Sequence, residues 1–230
     1  MGTVLIVGFL LGVKHALEAD HIAAVASLVT RSASTRETLR VATVWGIGHT
    51  ATLVLFGAVV VGFEASVPEW MAAKFELAVG VMLMLLGIDV LRRLRARRVH
   101  FHVHEHDDGV RHFHAHAHAA ELAYDPAQHT HAHDHGVLTR ALLVGSVHGL
   151  AGTAALTVLS VHMIHSAVRA VVYLVTFGAG TILGMVLFSF VIAVPLREVQ
   201  RLPRWASTGM EAALGTTSIM LGAWITASAL

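Results

Sequence analysis

Cysteine is absent from all 230 residues. That absence removes disulfides, thiolate zinc sites and cysteine-based redox relays together. Charge is scarce: charged residues make up 13% of the chain against 55% hydrophobic, and the mean hydropathy is +0.67. Such a balance lies far outside the range of soluble domains and reads as a membrane protein. Neither a P-loop nor a dinucleotide-binding glycine motif is present, and nothing points to nucleic acid. The formal charge of +1 identifies no partner, because its distribution outweighs its sum. No basic region precedes TVLIVGFLLG, so no cleavable signal is expected there.

What the chain does have is long apolar runs. Six segments, at about 3–30, 40–63, 70–91, 137–163, 168–195 and 206–229, each come close to the roughly 20 residues that a bilayer crossing requires. In lipid their backbone groups must be satisfied internally, so all six are expected to be helices. The stretch 93–136 differs in character: it begins RRLRARR, continues HFHVHEHDDGVRHFHAHAHA and later reads HTHAHDHG. It cannot build a core and is expected to be flexible. Twelve of the 18 histidines lie in it, many at i, i+2 spacing, which suits chelation of Ni²⁺, Co²⁺, Zn²⁺ or Cu²⁺. A buffering or sensing role fits this tract better than a place on a permeation path.

Lys14, His15, Glu18, Asp20 and His21 interrupt the first apolar segment. A charged residue at bilayer depth costs roughly 2.5–3.5 kcal/mol, so several together cost on the order of 10 kcal/mol unless they face each other, water or a ligand. Imidazole and carboxylate at short spacing, without a thiol, form a ligand set for a divalent transition metal. At about 100° per residue, Glu18 bisects an arc of about 120° that holds His15 and His21, while Asp20 falls off that face. Either Asp20 orients an imidazole from behind, or the helix unwinds and all the groups converge. Gly12 just before the cluster suits a broken helix, a recurrent transporter device at midplane. His49, between the helix-packing Gly46 and Gly48 and Thr50, is the best further nitrogen ligand. His148 is a candidate on grounds of the repeat described next. Packing is the reading preferred for His162 and His165, the interface for Glu76 and Glu211, and the surface for Asp89.

An internal repeat runs at an offset of 132–135 residues. It matches Gly12 with Gly145, His15 with His148 and Leu17 with Leu150. Gly46 then matches Gly178, and Gly48 matches Gly180. In the third and sixth segments Glu76 matches Glu211, Gly80 matches Gly215, and Leu86-Gly87 matches Leu221-Gly222. Three crossings per unit make the second unit enter from the opposite side. The expected fold is therefore an all-α membrane protein of six transmembrane helices, arranged as two inverted three-helix repeats at 1–92 and 137–230. Lys and Arg set the orientation. One side carries Arg31, Arg36, Arg40, Arg92, Arg93, Arg95, Arg97, Arg98, Arg111, Arg197, Arg201 and Arg204, the other only Lys74 and Arg169. Both termini are expected outside, with the 93–136 tract in the cytoplasm.

The string His15-Ala-Leu-Glu-Ala-Asp20-His21, followed by Ile-Ala-Ala, resembles the H-x-x-x-x-D-H signature of the nickel/cobalt permease (NiCoT) family. Gly48-His49-Thr50 is similar to that family's motif in the next helix. The resemblance is specific over about 12–30 and 46–56. It implies a permease for Ni²⁺ or Co²⁺ in which His15, Asp20 and His21 recognise the ion. Typical members have eight helices and a later D-T-A-T-E motif; here Ala151-Gly152-Thr153-Ala154-Ala155 stands in its place, without carboxylates. The short form and the His-rich tract are also similar to nickel/cobalt efflux proteins and to urease-accessory-type membrane proteins.

The expectation is a non-enzymatic secondary transporter in the plasma (inner) membrane of a prokaryote, with uptake favoured over efflux. Its partners would be the metal ion and the bilayer, with a homo-oligomer left open, and it would use no catalytic cofactor. Two readings from other classes stand beside it. An intramembrane metalloenzyme lacks its H-E-x-x-H or histidine boxes here. A non-transporting sensor or accessory subunit is disfavoured by the repeat.

Overall fold

The computed structural model describes residues 2–30, 34–63, 67–96, 100–105, 111–116, 135–163, 166–200 and 203–230. The body is helical. The described residues form seven helices, α1 (Gly2–His15), α2 (Ala19–Val29), α3 (Thr35–Gly62), α4 (Glu69–Ala96), α5 (His135–Met163), α6 (Ala167–Gln200) and α7 (Arg204–Ser228). All six apolar segments of the sequence are helical, the first as the bent pair α1–α2. Among the described residues three helices, α3, α4 and the Ala167–Ile192 part of α6, are long and apolar enough to cross a membrane. The pair α1–α2, bent by 57°, makes a fourth span if taken as one broken crossing. Within its described residues α5 offers a shorter apolar stretch, Gly136–Gly152. Large apolar side chains such as Leu55, Leu85, Leu187 and Val191 face outward, as lipid contact requires, and Trp70, Trp205 and Trp224 stand exposed near helix ends, as at a membrane interface.

Within the 93–136 tract, α4 continues through Ala96, where Arg93 reaches back to Asp89 one turn earlier. Two strands, β1 (His100–Glu105) and β2 (Arg111–His116), form an antiparallel hairpin with His100 opposite His116 and His104 opposite His112. Alternation of period two suits a strand, so the His-x-His spacing is compatible with this pairing. Residues 106–110 and 117–134, where most of the expected flexibility falls, lie outside the described residues.

Close glycine packing holds the bundle together. Gly12 of α1 lies against the Phe177 carbonyl of α6, and Gly180 of α6 against the Phe9 carbonyl of α1. Gly145 of α5 lies against the Trp45 carbonyl of α3, and Gly48 of α3 against the Leu142 carbonyl of α5. Gly80 and Gly87 of α4 meet the Gly222 and Gly215 carbonyls of α7. A Cβ at any of these positions would collide with backbone, so small residues set the interhelical distances, as they do between helices in lipid.

The core lies around α2. Its residues from Ala23 to Val29 are buried on every side, and Trp45, Leu83 and Met185 close around them from α3, α4 and α6. A helix buried all round is the rigid centre of the molecule. It is also the helix that carries Asp20 and His21.

Candidate metal centre

The site begins with the break between α1 and α2. Neither glycine nor proline occupies Ala16–Glu18. Gly12, expected to favour the break, instead lies inside α1 and seats it on α6. The chain turns because Leu17 and Glu18 close short bonds back to the Lys14 and His15 carbonyls, after which Glu18 goes extended (φ −69°, ψ 151°) and α2 starts afresh. Lys14 and His15 sit at the negative C-terminal end of α1, and Asp20 sits in the positive first turn of α2, so each helix end carries the charge that suits it.

The break converts sequence neighbours into spatial ones. Six residues of continuous helix would separate His15 and His21 by about 9 Å along the axis. Here their ring centroids are 4.3 Å apart. His49 of α3 joins them at 5.6 Å from His15 and 5.1 Å from His21. His148 of α5 lies 4.1 Å from His21 on the other side. The close α3–α5 packing brings the last two together: Gly145 and Gly149, one turn apart on α5, rest on the backbone of Trp45 and His49. All six residues singled out in the sequence are thus drawn to one place. His21, His49 and His148 are buried, and the His15 side chain is 14% exposed. Glu18, 54% exposed, stands at the mouth.

Hydrogen bonds divide the roles. His15 donates from Nδ1 to Glu18 Oε2 at 3.0 Å, and His21 from Nδ1 to Asp20 Oδ1 at 3.0 Å. His148 donates from Nε2 to Asp20 Oδ2 at 2.9 Å, so Asp20 clamps two imidazoles, and it also accepts the His21 backbone N–H. These tautomers are assigned from the network, since ionised carboxylates only accept. Each bonded ring keeps one lone-pair nitrogen. His15 Nε2, His21 Nε2, both nitrogens of His49 and His148 Nδ1 are buried without a hydrogen-bond partner among the described residues. Leaving that many polar atoms unpaired in a dry interior is costly, which points to a ligand that binds them.

Two overlapping triads have donor atoms within 4.8 Å of one another: His15, His21 and His49, and Asp20, His21 and His148. In the second, Asp20 accepts from both imidazoles, which leaves His21 Nε2 and His148 Nδ1 unpaired. The first offers nitrogen only, through the unpaired His15 Nε2, His21 Nε2 and His49. Metal–imidazole bonds of about 2.0–2.1 Å place ligand atoms roughly 3–4 Å apart, so this triad closes on an ion with only small shifts. With an ion there, Asp20 and Glu18 would act from behind, fixing the tautomer and raising the basicity of the rings.

Sequence reasoning passed over two aromatic side chains. Trp45, fully buried, packs edge-on against His21 at 5.5 Å and His148 at 5.6 Å and lies 6.0 Å from His49. Phe177 lies 5.4 Å from His15. The signal for Trp45 was its position four residues before His49, on the same helix face. The side chains of His162 and His165 lie outside those described. Asp89 is more than a surface residue: it pairs with Arg93 and Arg140.

The sequence matches the family described as the cytochrome c biogenesis protein transmembrane region over residues 3–224. The chain belongs to this family. It is also similar to a urease accessory protein, UreH of Bacillus sp. (strain TB-90), at 32% identity over 205 residues, covering 84% of this chain and 77% of that protein. No solved structure matches it. Family membership agrees with the helices in making this an integral membrane protein. It does not by itself assign the chemistry, which rests on the site. Without cysteine, that chemistry is imidazole and carboxylate.

Proposed function

We propose that the chain is a secondary transporter, not an enzyme, for Ni²⁺ and/or Co²⁺, working by alternating access around His15, His21 and His49. The observation that carries this reading is a set of unpaired imidazole nitrogens gathered at a helix break inside the apolar body. Nitrogen donors suit these ions, and the site has no carboxylate cage of the kind Mg²⁺ or Ca²⁺ would use. The NiCoT-like string and the similarity to a urease accessory protein both support a link to nickel handling.

Six crossings arranged as two inverted repeats fit the packing. Under the repeat correspondence, the Gly12–Phe177 contact exchanges with Gly145–Trp45, Gly180–Phe9 with Gly48–Leu142, and Gly80–Gly222 with Gly215–Gly87. Contacts that exchange in this way are those a pseudo-two-fold axis would produce. The site lies at the break, close to that axis, where transporters of this architecture bind their cargo.

Uptake is the favoured direction because the His15–His21 string resembles the uptake permeases. A dication moving inward down 100 mV gains about 4.6 kcal/mol, enough without a nucleotide. Efflux is the second reading, favoured by the His-rich tract on the side expected to be cytoplasmic. The test is Ni²⁺ flux into proteoliposomes containing the purified chain alone. Wild type should carry Ni²⁺, and His15→Ala and His21→Ala should each abolish flux while inserting normally. Near-wild-type flux in either variant would overturn the site. Absence of flux with intact Ni²⁺ binding would move the protein to the sensor or accessory class.

A further inference from the structure

A crevice of about 710 Å³ runs between α2, α4 and α5, away from the imidazole cluster. Its walls are apolar along most of their length, with Leu77, Val81 and Leu85 of α4 facing Leu143 and Val144 of α5. Its ends are basic, with Lys74 at one and Arg92 and Arg140 at the other. Lys74 and Arg92 are about 27 Å apart along α4 at 1.5 Å per residue, close to the roughly 30 Å depth of a bilayer's hydrocarbon core. The half from Val81 to Arg92 spans about 16 Å, the depth of one leaflet.

Among the described residues that line the crevice, the Arg92 end carries Arg92, Arg140 and Asp89. Asp89 pairs with Arg93 at 3.4 Å and with Arg140 at 3.7 Å, and Arg92 lines the same crevice wall. Arg93 is also tied to the Asp89 carbonyl and to Thr30 Oγ1 at the end of α2. Arg92 and Arg140 remain exposed at the crevice end, Arg140 with 56% of its side chain accessible.

We infer that this crevice is a binding site for an anionic phospholipid. The headgroup phosphate would sit on Arg92 and Arg140, and one acyl chain would lie along Val81, Leu85 and Val144. A phosphodiester brings negative charge to the exposed Arg92 and Arg140, and guanidinium groups recognise phosphate through paired N–H donors. A free anion would leave the apolar wall uncovered, and a zwitterionic lipid would bring a cation to the same basic end along with its phosphate. The site needs only the membrane placement of the helices and is independent of metal transport. Its floor is nonetheless made by α2 and α5, and Val147 at its edge adjoins His148, so lipid occupancy would brace the two helices that hold the Asp20 clamp.

Native mass spectrometry of the full chain, released from detergent supplemented with phosphatidylglycerol or phosphatidylcholine, tests this directly. Wild type should retain phosphatidylglycerol in preference to phosphatidylcholine. Arg92→Gln/Arg140→Gln should reduce that preference by about thirtyfold, taking two basic side chains at the membrane surface together. Arg93 stays paired with Asp89 in this variant, so folding should survive, and an unchanged circular-dichroism spectrum and elution volume would verify that. Val144→Trp, which fills the crevice without touching charge, should lower retention of both lipids. Equal retention of the two lipids by wild type would overturn the assignment, as would an unchanged preference in the double variant. Displacement of phosphatidylglycerol by inorganic phosphate alone would reassign the arginines to a free anion and also overturn it.

Discussion

Residues 2–29 and residues 135–163 each bring a histidine to the centre of the bundle, but only the first stretch breaks its helix to do so. The break lets one segment deliver His15, Glu18, Asp20 and His21 to a single point, with two imidazoles 4.3 Å apart. An unbroken helix presents about one side chain per turn to any given point, and of its described side chains α5 accordingly supplies His148. The two histidines also differ in how their nitrogens are used. His15 is held by a carboxylate of its own segment and points Nε2 into the all-nitrogen triad. His148 spends Nε2 on Asp20, a residue of the other segment. Under the proposed repeat and metal site, matching positions would serve as ligand on one side and support on the other, because Glu18 and Asp20 both belong to the first segment.

The largest expected effect follows from that inequality. His15→Ala should lower Ni²⁺ affinity by more than about a hundredfold, while His148→Ala should cost about 10–100-fold, the range for a partner that orients a ligand without being one. Isothermal titration of the purified proteins with Ni²⁺ checks both. If His148→Ala is as damaging as His15→Ala, the triad of Asp20, His21 and His148 holds the ion, and the comparison between the two segments fails. Asp20→Asn combined with His148→Ala should lose less than the sum of the single losses, since both act on the same clamp.

The first segment was legible in the sequence because its residues break a strong rule. Titratable groups inside an apolar run have few explanations besides a site, so His15, Glu18, Asp20 and His21 stood out from composition alone. His49 was carried by its glycine neighbours and His148 by the repeat, both weaker signals. The division of labour around Asp20 was not legible. Helical angles put Asp20 off the His15–His21 face, and only the turn at Ala16–Glu18, which no proline or glycine announces, brings it between His21 and His148. Trp45 was hidden for the opposite reason: a tryptophan in an apolar helix breaks no rule. The helices themselves were readable from apolar length, and their mutual distances, set by glycine contacts, were visible only as a pattern of matched positions.

That pattern gives the second prediction. Gly12 and Gly145 meet the carbonyls of Phe177 and Trp45 in matching ways, so Gly12→Val and Gly145→Val should be comparably harmful. Overpacking at tight contacts costs typically about 1–3 kcal/mol. Thermal unfolding of both variants in the same detergent should show clear losses of similar size. A silent Gly145→Val beside a damaging Gly12→Val would show that α5 is less tightly seated than α1, and would sharpen the contrast between the broken and unbroken segments.

The smallest expected effect lies at Glu18, the more exposed of the two carboxylates that hold imidazoles. Asp20 accepts from two rings and one backbone N–H and has 26% of its side chain exposed, whereas Glu18 accepts from one ring and has 54% exposed. Glu18→Gln keeps an oxygen that can accept from His15 Nδ1 and removes only the charge, which solvent at the mouth already screens. Exposed pairs of this kind are worth about 0.2–1 kcal/mol, so Ni²⁺ affinity should fall by no more than about fivefold. Asp20→Asn should fall further, because an amide in that position must turn one N–H toward a ring that also donates. Titrating both variants side by side with Ni²⁺ tests the ranking. A Glu18→Gln loss as large as that of His15→Ala would make Glu18 a direct ligand and the break an oxygen-bearing site. A loss confined to the expected few-fold leaves the ion on the three imidazoles.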